Sequence, residues 1–394
     1  MRVVAITQIW PNSKEPTRAP FNRQQFRCLA RHCDLSVIAA VAHLPGASLL
    51  PSKFRPPRWD DLAKLPPREP IDGIDTHYMR QLYVPRVGVP VAVPLYLASL
   101  APHRALLAQA DVILGTWAYP DGCAAILAAK AMRKPCVVKV HGTDLNHVAR
   151  LASARAILKR VLPSVDAMIS VSEPLSRELE ELGVARSKIH QVANGVDTTL
   201  FHPRDKREMR SQLGLPLDAP IVTFVGRLEP PKGIGELLAA MPKVHARVPG
   251  VVFALIGAGS WIEKAKAQGA AVGCTVVAPG PRPLSEVAQW VGACDVFTLP
   301  SWMEGTPNVV LEALASGRPV VASRVGGIPD VLPDPEAGHL VPAKDAGALA
   351  EALVRALDRA RSGEWGEEAV RALGPGSWED SAAAMLKVLE GVRR

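Results

Sequence analysis

Short runs of β-branched and other apolar residues alternate with stretches of helical periodicity along most of the chain. Such alternation is typical of parallel sheets with helices on both faces, so we predict an α/β fold. The predicted strands cover residues 3–6, 35–41, 74–79, 112–114, 136–140, 167–171, 189–192, 221–225, 251–256, 275–278, 296–299 and 319–322. Helices are predicted between them, as at 234–247 and 284–292. The two series indicate two doubly wound, Rossmann-like domains in tandem, joined near residues 195–215.

Length and composition limit the class of protein. With 394 residues, 48% of them hydrophobic, the chain is long enough for two domains of about 150–200 residues each. It contains no run of 18 uncharged apolar residues, so no transmembrane helix is expected, and residues 1–7 lack the apolar core of a signal peptide. The six cysteines show no C-x-x-C pair, which is typical of small buried thiols in a reducing compartment. We therefore expect a cytoplasmic protein.

Positive charge is concentrated in the first half of the chain. Residues 1–188 contain 25 Lys and Arg against 15 Asp and Glu, a net charge of +10, whereas the remainder has 21 against 23, a net charge of −2. A basic half suits anionic lipid, an anionic substrate or nucleic acid. Because the basic residues are scattered and not interleaved with aromatic residues, nucleic acid is not expected as a partner.

Two glutamates eight positions apart mark the most informative segment of the chain. Glu304 is predicted to lie in a loop and Glu312 in the helix that follows. Pro307 and Asn308 suit the first turn of this helix, and Gly317 suits its left-handed C-cap. The start of such a helix carries about half a positive charge and several free N–H groups, a natural site for a phosphate. Carboxylates beside a phosphate are explained if they accept hydrogen bonds from sugar hydroxyls, so the segment indicates a nucleotide-sugar.

A pair of cations follows the strand predicted at 221–225. Gly226 ends this strand, and Arg227 and Lys232 lie five residues apart in the loop before the next helix. If both converge on one diphosphate, each charge-assisted contact contributes on the order of 1.5–3 kcal/mol. Cations in this position would also stabilise a departing nucleoside diphosphate. The loop therefore supports the nucleotide-sugar interpretation.

A histidine lies just past the strand predicted at 136–140. A lone histidine after a strand is more often structural, but a Gly-Thr-Asp turn follows His141 at the sheet edge where ligands bind in this fold class. Two roles stay open for Asp144, namely binding acceptor hydroxyls or capping the next helix. Asn194 and Gly195 form a turn signal, and we expect the crossover between the domains there.

In this order, the motifs resemble those of retaining glycosyltransferases of family 4. The residues that carry the resemblance are His141 to Asp144, residues 194–197, Gly226 with Arg227, Lys232 with Gly233, and the pair Glu304 and Glu312. The resemblance extends from residue 3 to the final helix and implies the GT-B fold, in which two Rossmann-like domains face a central cleft. It predicts domains at 1–195 and 196–375, and a C-terminal helix, 376–394, that crosses back to the first domain. The run 115–122 is similar to a stretch in members that act in bacterial polysaccharide assembly.

The resemblance also implies roles for the matching positions. Arg227 and Lys232 would bind the donor diphosphate, and Glu312 would bind the ribose hydroxyls. His141 and Glu304 would contact the transferred sugar close to the reacting centre, which makes them the expected catalytic residues. Further donor contacts would come from Gly226 and from the backbone amides of Gly305, Thr306 and Val309.

One loop departs from the family pattern. Members often carry paired glycines after the first strand, where this chain has Ala19 and Pro20. Because proline has no N–H, close backbone contact with a ligand is in doubt at this point. We expect the side chain of Arg18 or Arg23 to substitute, and we assign Arg18 to the acceptor side together with Asp144.

The resemblance implies retaining transfer of a sugar from a nucleotide-diphospho-sugar to a hydroxyl of a glycan or lipid-linked glycan. The chain contains no D-x-D, the usual arrangement by which a divalent ion holds a sugar nucleotide, so we expect metal-independent transfer without a cofactor. Two other classes fit the fold, a nucleotide-sugar epimerase and a non-catalytic two-lobed binding protein. A requirement for a second substrate separates the transferase from both.

Two segments leave alternatives open. Residues 43–73 contain seven prolines and a basic cluster at 55–59, and they are either a plain surface loop or a flap that binds the acceptor or a membrane. The helix predicted at 148–162 carries basic residues beside apolar ones. It presents either a solvated basic face or a contact with an anionic membrane, which would make the protein peripheral on the inner face. The basic residues of this helix are Arg150, Arg155, Lys159 and Arg160.

Overall fold

The computed structural model describes residues 1–16, 18–43, 57–82, 88–146 and 148–393. The chain divides into two compact units. Unit 1 comprises Met1–Asn194 together with Trp378–Arg394, and unit 2 comprises Gly195–Ser377. Each unit is built around a single sheet.

The sheet of unit 1 is almost entirely parallel. Its strands in the described residues are β1 (Arg2–Thr7), β2 (Asp34–His43), β3 (Arg68–Ile71), β4 (Ile74–Leu82), β5 (Val112–Thr116), β6 (Cys136–Lys139), β7 (Ala167–Ser170) and β8 (Ile189–Gln191). They lie in the order β3-β4-β2-β1-β5-β6-β7-β8, and β3 alone among them runs antiparallel to its neighbour. Alternate residues of β1 point into two separate apolar cores, Val3 into one and Val4 into the other. Burial on both faces explains why the central strands β1 and β5 are nearly continuous apolar runs.

Helices cover the sheet of unit 1. Their bounds are α1 (Pro20–Leu29), α2 (Pro57–Ala63), α3 (Val89–Leu100), α4 (Arg104–Ala108), α5 (Cys123–Ala131), α6 (Thr143–Asn146), α7 (Ala152–Val161) and α8 (Glu173–Glu181). The C-terminal helix Trp378–Val392 belongs to the same unit and packs against α1, with the Gln25 amide donating to Ser381 Oγ at 2.9 Å.

Unit 2 has the strand order of a dinucleotide-binding fold. Its strands are β9 (Ile221–Val225), β10 (Val252–Ile256), β11 (Thr275–Gly280), β12 (Val296–Leu299), β13 (Val320–Ser323) and β14 (Gly338–Val341). They lie in the order β11-β10-β9-β12-β13-β14, and all neighbouring pairs are parallel. The order reverses at β9, and ligands bind outside the carboxyl ends of the strands at such a switch point. A ligand site is therefore expected at the loops after β9 and β12.

The helices of unit 2 connect these strands. Their bounds are α9 (Lys206–Gln212), α10 (Ile234–Arg247), α11 (Ile262–Val272), α12 (Leu284–Ala293), α13 (Asn308–Ala315), α14 (Ile328–Val331), α15 (Ala346–Ser362) and α16 (Glu367–Ala372); the C-terminal helix of unit 1 is α17. Gly317, with φ 70°, follows α13 in the left-handed conformation predicted for its C-terminal cap.

Within each unit, the residues next to the two crossover points of the chain lie beside each other. In unit 2, Val196 forms a parallel β-bridge with Ser377, and the Val196 N–H donates to Gly376 O at 3.1 Å. In unit 1, Ser381 Oγ donates to Ala193 O at 2.6 Å. Unit 2 is thus a continuous insertion whose first and last residues are paired.

The predicted α/β fold with two parallel sheets is confirmed. Two edge strands, β3 and β14, were not predicted. The β3 sequence, Arg-Glu-Pro-Ile, has no apolar run, and its proline is tolerated because β3 is an edge strand. Asp72 and Gly73, both with positive φ, form the tight turn to β4, and this Asp-Gly signal was available in the sequence. The helix predicted at 148–162 is interrupted at Leu151, so that a short 3₁₀ turn precedes α7.

The segment 43–73 is only partly described. Residues 44–56 lie outside the described residues, and so does most of the predicted basic cluster at 55–59. The described remainder forms α2 and β3, so part of this segment returns to the sheet as its edge strand.

One helical stretch satisfies the length and composition of a membrane span, although the sequence analysis expected none. Among the described residues, Val89–Ala108 is long and apolar enough, by length and composition only, to cross a membrane, and 28% of its 18-residue apolar window is buried. The stretch was not predicted from the sequence because Arg104 interrupts its apolar run, which is therefore shorter than 18 uncharged residues.

Candidate functional site

In unit 2, the loops after β9 and β12 pack directly on each other. Gly233 has φ 73°, and a Cβ atom at this position would lie 1.8 Å from Pro300 O. The backbone N–H of Trp302 donates to Pro231 O at 3.0 Å. Only glycine permits this approach of the two backbones, so the sequence at Gly233 brings the predicted cation loop and the predicted glutamate loop together.

The two loops meet in an ion pair between predicted site residues. Lys232 Nζ lies 2.5 Å from Glu304 Oε1, and Ser301 Oγ donates to the same oxygen at 2.7 Å. The side chains of Lys232 and Glu304 are 25% and 10% exposed, so this pair is largely desolvated. A cation and an acceptor side by side can contact a phosphate and a sugar hydroxyl of one ligand.

Glu304 and the start of α13 are held by a loop that the sequence analysis did not single out. Gly326 has φ 52°, and a Cβ there would lie 1.9 Å from Glu304 O. The Gly327 N–H donates to Gly305 O at 2.6 Å. The Gly-Gly pair just after β13 was the sequence signal for this close approach.

The predicted phosphate-binding amides lie at the N-terminal end of α13. Pro307 is the N-cap residue, and Thr306, immediately before it, is buried. Gly305 and Val309 lie on either side of this helix start. The first four N–H groups of a helix have no partner within the helix and carry partial positive charge. This end of α13 therefore carries partial positive charge in the segment whose Glu304 contacts Lys232.

Glu312 lies further along α13, partly accessible to solvent. Desolvation raises the pKa of its carboxyl to about 7. Within the described part of the chain, no side chain donates a hydrogen bond to this carboxylate. A raised pKa without a partner is typical of a functional group rather than of a structural ion pair.

Replacing Glu312 with glutamine is expected to stabilise the protein by about 1–3 kcal/mol at pH 8. Since the pKa of Glu312 is raised from 4.5 to about 7 on folding, its contribution to the free energy of unfolding falls as pH rises through this interval. The gain should therefore disappear near pH 4. Chemical denaturation of both proteins at pH 4, 6 and 8 measures it. Glu351→Gln, at an exposed partner of Lys243 on α15, is the matched control and should show no such gain.

Gly226 and Arg227 begin the cation loop. The Gly226 N–H donates to Ile256 O, and a Cβ on Gly257 would lie 1.9 Å from Gly226 O. The glycines at 257 and 259 thus serve close packing against this loop, since a Cβ on Gly259 would lie 2.4 Å from Leu228 O. Arg227 itself is exposed, so its guanidinium is accessible to a ligand.

In unit 1, His141 lies in the loop after β6, two residues beyond the end of this strand. Its ring lies between Phe21, with centroids 4.9 Å apart, and Trp117, at 6.2 Å. The Nε2 atom is buried and has no hydrogen-bond partner among the residues that the structure describes. Burial, and to a lesser degree the charge of Lys139, holds the pKa of His141 well below its usual range. The ring is therefore neutral near pH 7.

Asp144 is a correction to the sequence analysis. Its carboxylate is fully buried and accepts hydrogen bonds from the backbone N–H groups of Gly142 at 2.8 Å, Ala118 at 2.9 Å and His141. It is not accessible to an acceptor and does not cap α6, because the buried carboxylate is committed to backbone N–H groups before the helix. Asp144 instead holds the His141 loop against the loop after β5.

A second buried carboxylate was missed. Asp121 is fully buried, accepts the Gln8 N–H at 2.7 Å and thereby fixes the loop after β1. Burial raises the pKa of Asp121 well above its usual range. Asp121 is the one acidic residue of the run 115–122, and this isolated charge in a largely apolar stretch was the sequence signal for a buried carboxylate.

The acceptor-side arginines differ in what they contact. Arg23 forms a bidentate pair with Asp72 at 2.7 and 2.8 Å, which commits its guanidinium. Arg18 pairs with Glu15 at 2.9 Å and donates to Gln8 O at 2.7 Å, and it lines a cavity in unit 1. Ala19 has φ 47°, the left-handed conformation that favours glycine, at the position where paired glycines are common in the family.

The crossover residue Asn194 contacts a buried lysine. Lys139 is fully buried, and its Nζ donates to Gln25 Oε1 at 2.6 Å and to Asn194 Oδ1 at 3.3 Å. Burial lowers the pKa of Lys139 to about 7. In the described residues, no group of three or more His, Cys, Asp or Glu side chains is placed to hold a metal ion.

Comparison with known families matches both halves of the chain. Residues 57–200 match the model described as Glycosyltransferase Family 4, and residues 219–359 match the model described as Glycosyl transferases group 1. The chain is 30% identical over 378 residues to TuaC of Bacillus subtilis, described as a teichuronic acid biosynthesis glycosyltransferase, and the match covers 90% of this chain and 89% of TuaC. It is 34% identical over 260 residues to D-inositol 3-phosphate glycosyltransferase 2 of Catenulispora acidiphila, covering 63% of this chain and 60% of that protein.

Solved structures support the same fold. Anabaena HepE in complex with UDP superposes with a TM-score of 0.74 at 17% identity, covering 99% of this chain and all of HepE. The predicted GT-B fold is therefore confirmed. Together with the match to TuaC, which spans nearly the full length of both chains, these findings show that the chain belongs to the group 1, family 4 glycosyltransferases and is a transferase of the glycosyl-transferring class.

Proposed function

We propose that the chain transfers a sugar, with retention of anomeric configuration, from a nucleotide-diphospho-sugar to a hydroxyl of a glycan or lipid-linked glycan. The observation that carries this proposal is the cluster of Lys232, Glu304 and Ser301 at the start of α13. It combines a cation and helix N–H groups, which suit a diphosphate, with a carboxylate that suits sugar hydroxyls. HepE, which has the same fold, has been crystallised with UDP and with UDP-glucose, which also supports a nucleotide-sugar donor.

The roles that we propose are those that the family resemblance implies. Arg227 and Lys232 bind the diphosphate and stabilise its charge as it departs, together with the amides at the start of α13. Glu304 accepts hydrogen bonds from the transferred sugar, and Glu312 accepts them from the ribose. His141 offers the neutral Nε2 to the sugar near the reacting carbon.

Transfer without a metal ion is part of the proposal. A divalent ion serves in many nucleotide-sugar enzymes to neutralise the leaving diphosphate. Here two side-chain cations and a helix start can supply that charge. We also propose a cytoplasmic protein, peripheral on the inner membrane face. The basic helix α7 supports a membrane contact less than expected, because Arg155 pairs with Glu178 and Glu181.

A donor-binding experiment tests the proposal. Thermal unfolding is measured with UDP-, GDP- and ADP-sugars, with and without excess chelator, for the wild type and for Arg227→Ala. A donor at 100 times its Kd should stabilise the wild type by about 2.7 kcal/mol. We expect a shift with one nucleotide class, unchanged by chelator and strongly reduced in Arg227→Ala.

Arg247→Ala, at an exposed arginine that ends α10, is the matched control and should keep the full shift. Absence of a shift with every donor class would contradict the proposed donor site. A shift that chelator abolishes would refute transfer without a metal ion while leaving the donor site in place.

A further inference from the structure

Unit 1 contains a cavity of about 560 Å³ that the donor site does not use. It lies at the carboxyl ends of β1, β2, β4 and β5, where ligands bind in this fold class. Its volume falls in the range of small-molecule sites. Its apolar lining comes mainly from β2 and α3: Ala39, Ala40, Val41, Val89, Val91 and Leu95.

One side of the lining leads to the predicted reacting centre. Trp117 lines the cavity, and its ring is stacked near that of His141 with centroids 6.2 Å apart. Arg18 and Gln8 also line the cavity, and the loop that carries Gln8 is held by Asp121. Polar and cationic groups thus accompany the part of the lining that adjoins His141.

The other side of the lining is continuous with an exposed apolar surface. From Gly88 to Pro102 the chain has no charged residue. Pro90, Pro94 and Ala98 of α3 are exposed, and the cavity-lining residues of this helix are only half-buried. Leu151, which also lines the cavity, is 49% exposed, which is unusual for so large an apolar side chain in this protein. A soluble protein rarely leaves such a surface without a partner.

Cations flank this surface. Arg150 precedes Leu151 and is exposed, and Arg104 is exposed at the start of α4. Lys159 and Arg160 are exposed on α7, which packs against α3. An uncharged helix bordered by exposed cations matches the combination of hydrocarbon and anionic headgroups at a membrane surface.

We propose that the cavity binds the hydrocarbon chain of a lipid phosphate that carries the acceptor hydroxyl, and that α3 with Leu151 is the surface through which this lipid enters from an anionic membrane. This inference rests on the proposed transferase function, because it names the acceptor class of that reaction. The chain passes between α3 and β2, and the phosphate and the sugar-accepting hydroxyl lie toward Arg18, Trp117 and His141.

Isothermal titration with dodecyl phosphate, below its micelle concentration, tests the cavity. Butyl phosphate keeps the head group and shortens the chain, and each buried methylene contributes about 0.8 kcal/mol, or roughly fourfold in Kd. We expect dodecyl phosphate to bind at least about 100-fold more tightly than butyl phosphate. Ala92→Trp, which fills the cavity from α3, should weaken dodecyl phosphate binding by at least about tenfold.

Two further variants keep the test decisive. Leu95→Gln preserves side-chain size and should weaken the same probe, which covers the case in which Ala92→Trp fails to fold. Flotation with phosphatidylglycerol–phosphatidylcholine vesicles tests entry, and Leu151→Ser should lower the bound fraction several-fold. Leu217→Ser, at an exposed leucine of unit 2, is the matched control and should leave both measurements unchanged.

The nucleotide-sugar thermal shift is recorded for each variant. Equal binding of dodecyl and butyl phosphate would overturn the inference, and so would undiminished dodecyl phosphate binding in both cavity variants. In either case, an intact thermal shift would still support the donor site. Flotation that Leu151→Ser does not reduce would overturn the entry surface. Chain-dependent binding lost in the cavity variants, without any thermal shift, would support the cavity and count against the proposed donor.

Discussion

Replacing Lys232 with alanine is expected to lower kcat/KM for the nucleotide-sugar donor by about 10²–10³-fold. The ammonium lies at the start of α13, largely desolvated, and its charge is worth more there than in water. Most of the loss should appear in kcat, because the charge of the diphosphate grows as the sugar departs. Initial rates at varied donor concentration separate kcat from KM. Lys232→Arg keeps the charge but not the compact ammonium and should recover only part of the activity.

The ion pair with Glu304 requires a double-mutant comparison. If Lys232 acted only by orienting Glu304, the loss in Lys232→Ala would not add to the loss in Glu304→Gln. We expect the two losses to add in large part, because Lys232 contacts the diphosphate and Glu304 contacts the sugar. Lys243→Ala removes an exposed lysine paired with Glu351 and should leave kcat/KM unchanged. Full activity in Lys232→Ala would remove this residue from the donor site.

Replacing His141 with phenylalanine is expected to lower kcat by about 100-fold with little change in the KM of the donor. Phenylalanine preserves the packing between Phe21 and Trp117 but removes the unpartnered Nε2. The melting temperature should therefore stay close to that of the wild type, which separates a role toward the sugar from a role in packing. His190→Ala, at an exposed residue of β8, is the matched control and should be fully active.

The pH dependence distinguishes what His141 does. Because its pKa lies well below the usual range, the ring stays neutral between pH 6 and 8 and undergoes no charge change there. The shape of the kcat profile over this interval should be the same in His141→Phe and the wild type. Loss of a limb of the profile in the variant would instead assign proton transfer to His141, and an unchanged kcat would leave the ring a purely structural role.

The parts of the protein that the sequence predicted are those encoded by neighbouring residues. A buried parallel strand is a continuous apolar run, so the strands of both sheets could be predicted except β3 and β14, which are short edge strands. Glu304 and the start of α13 share one segment. The meeting of this segment with Lys232, 72 positions away, followed from the rule that ligands lie at the carboxyl ends of strands.

The parts that could not be predicted depend on contacts between distant residues. Asp144 was misassigned because its partners include the N–H of Ala118, 26 positions away, and no local pattern announces that contact. Asp121 holds the N–H of Gln8 across 113 positions. The cavity is likewise a property of the arrangement of β2 and α3, since their alanines and valines are typical of any buried element.

The pairing of Val196 with Ser377 has a consequence for how such enzymes diversify. Since the inserted unit begins and ends at one place, an exchange of residues 195–377 would replace the whole of unit 2 through two junctions that lie side by side. If the donor site lies in unit 2, as proposed, one such exchange would change the sugar donor and keep the sheet of unit 1.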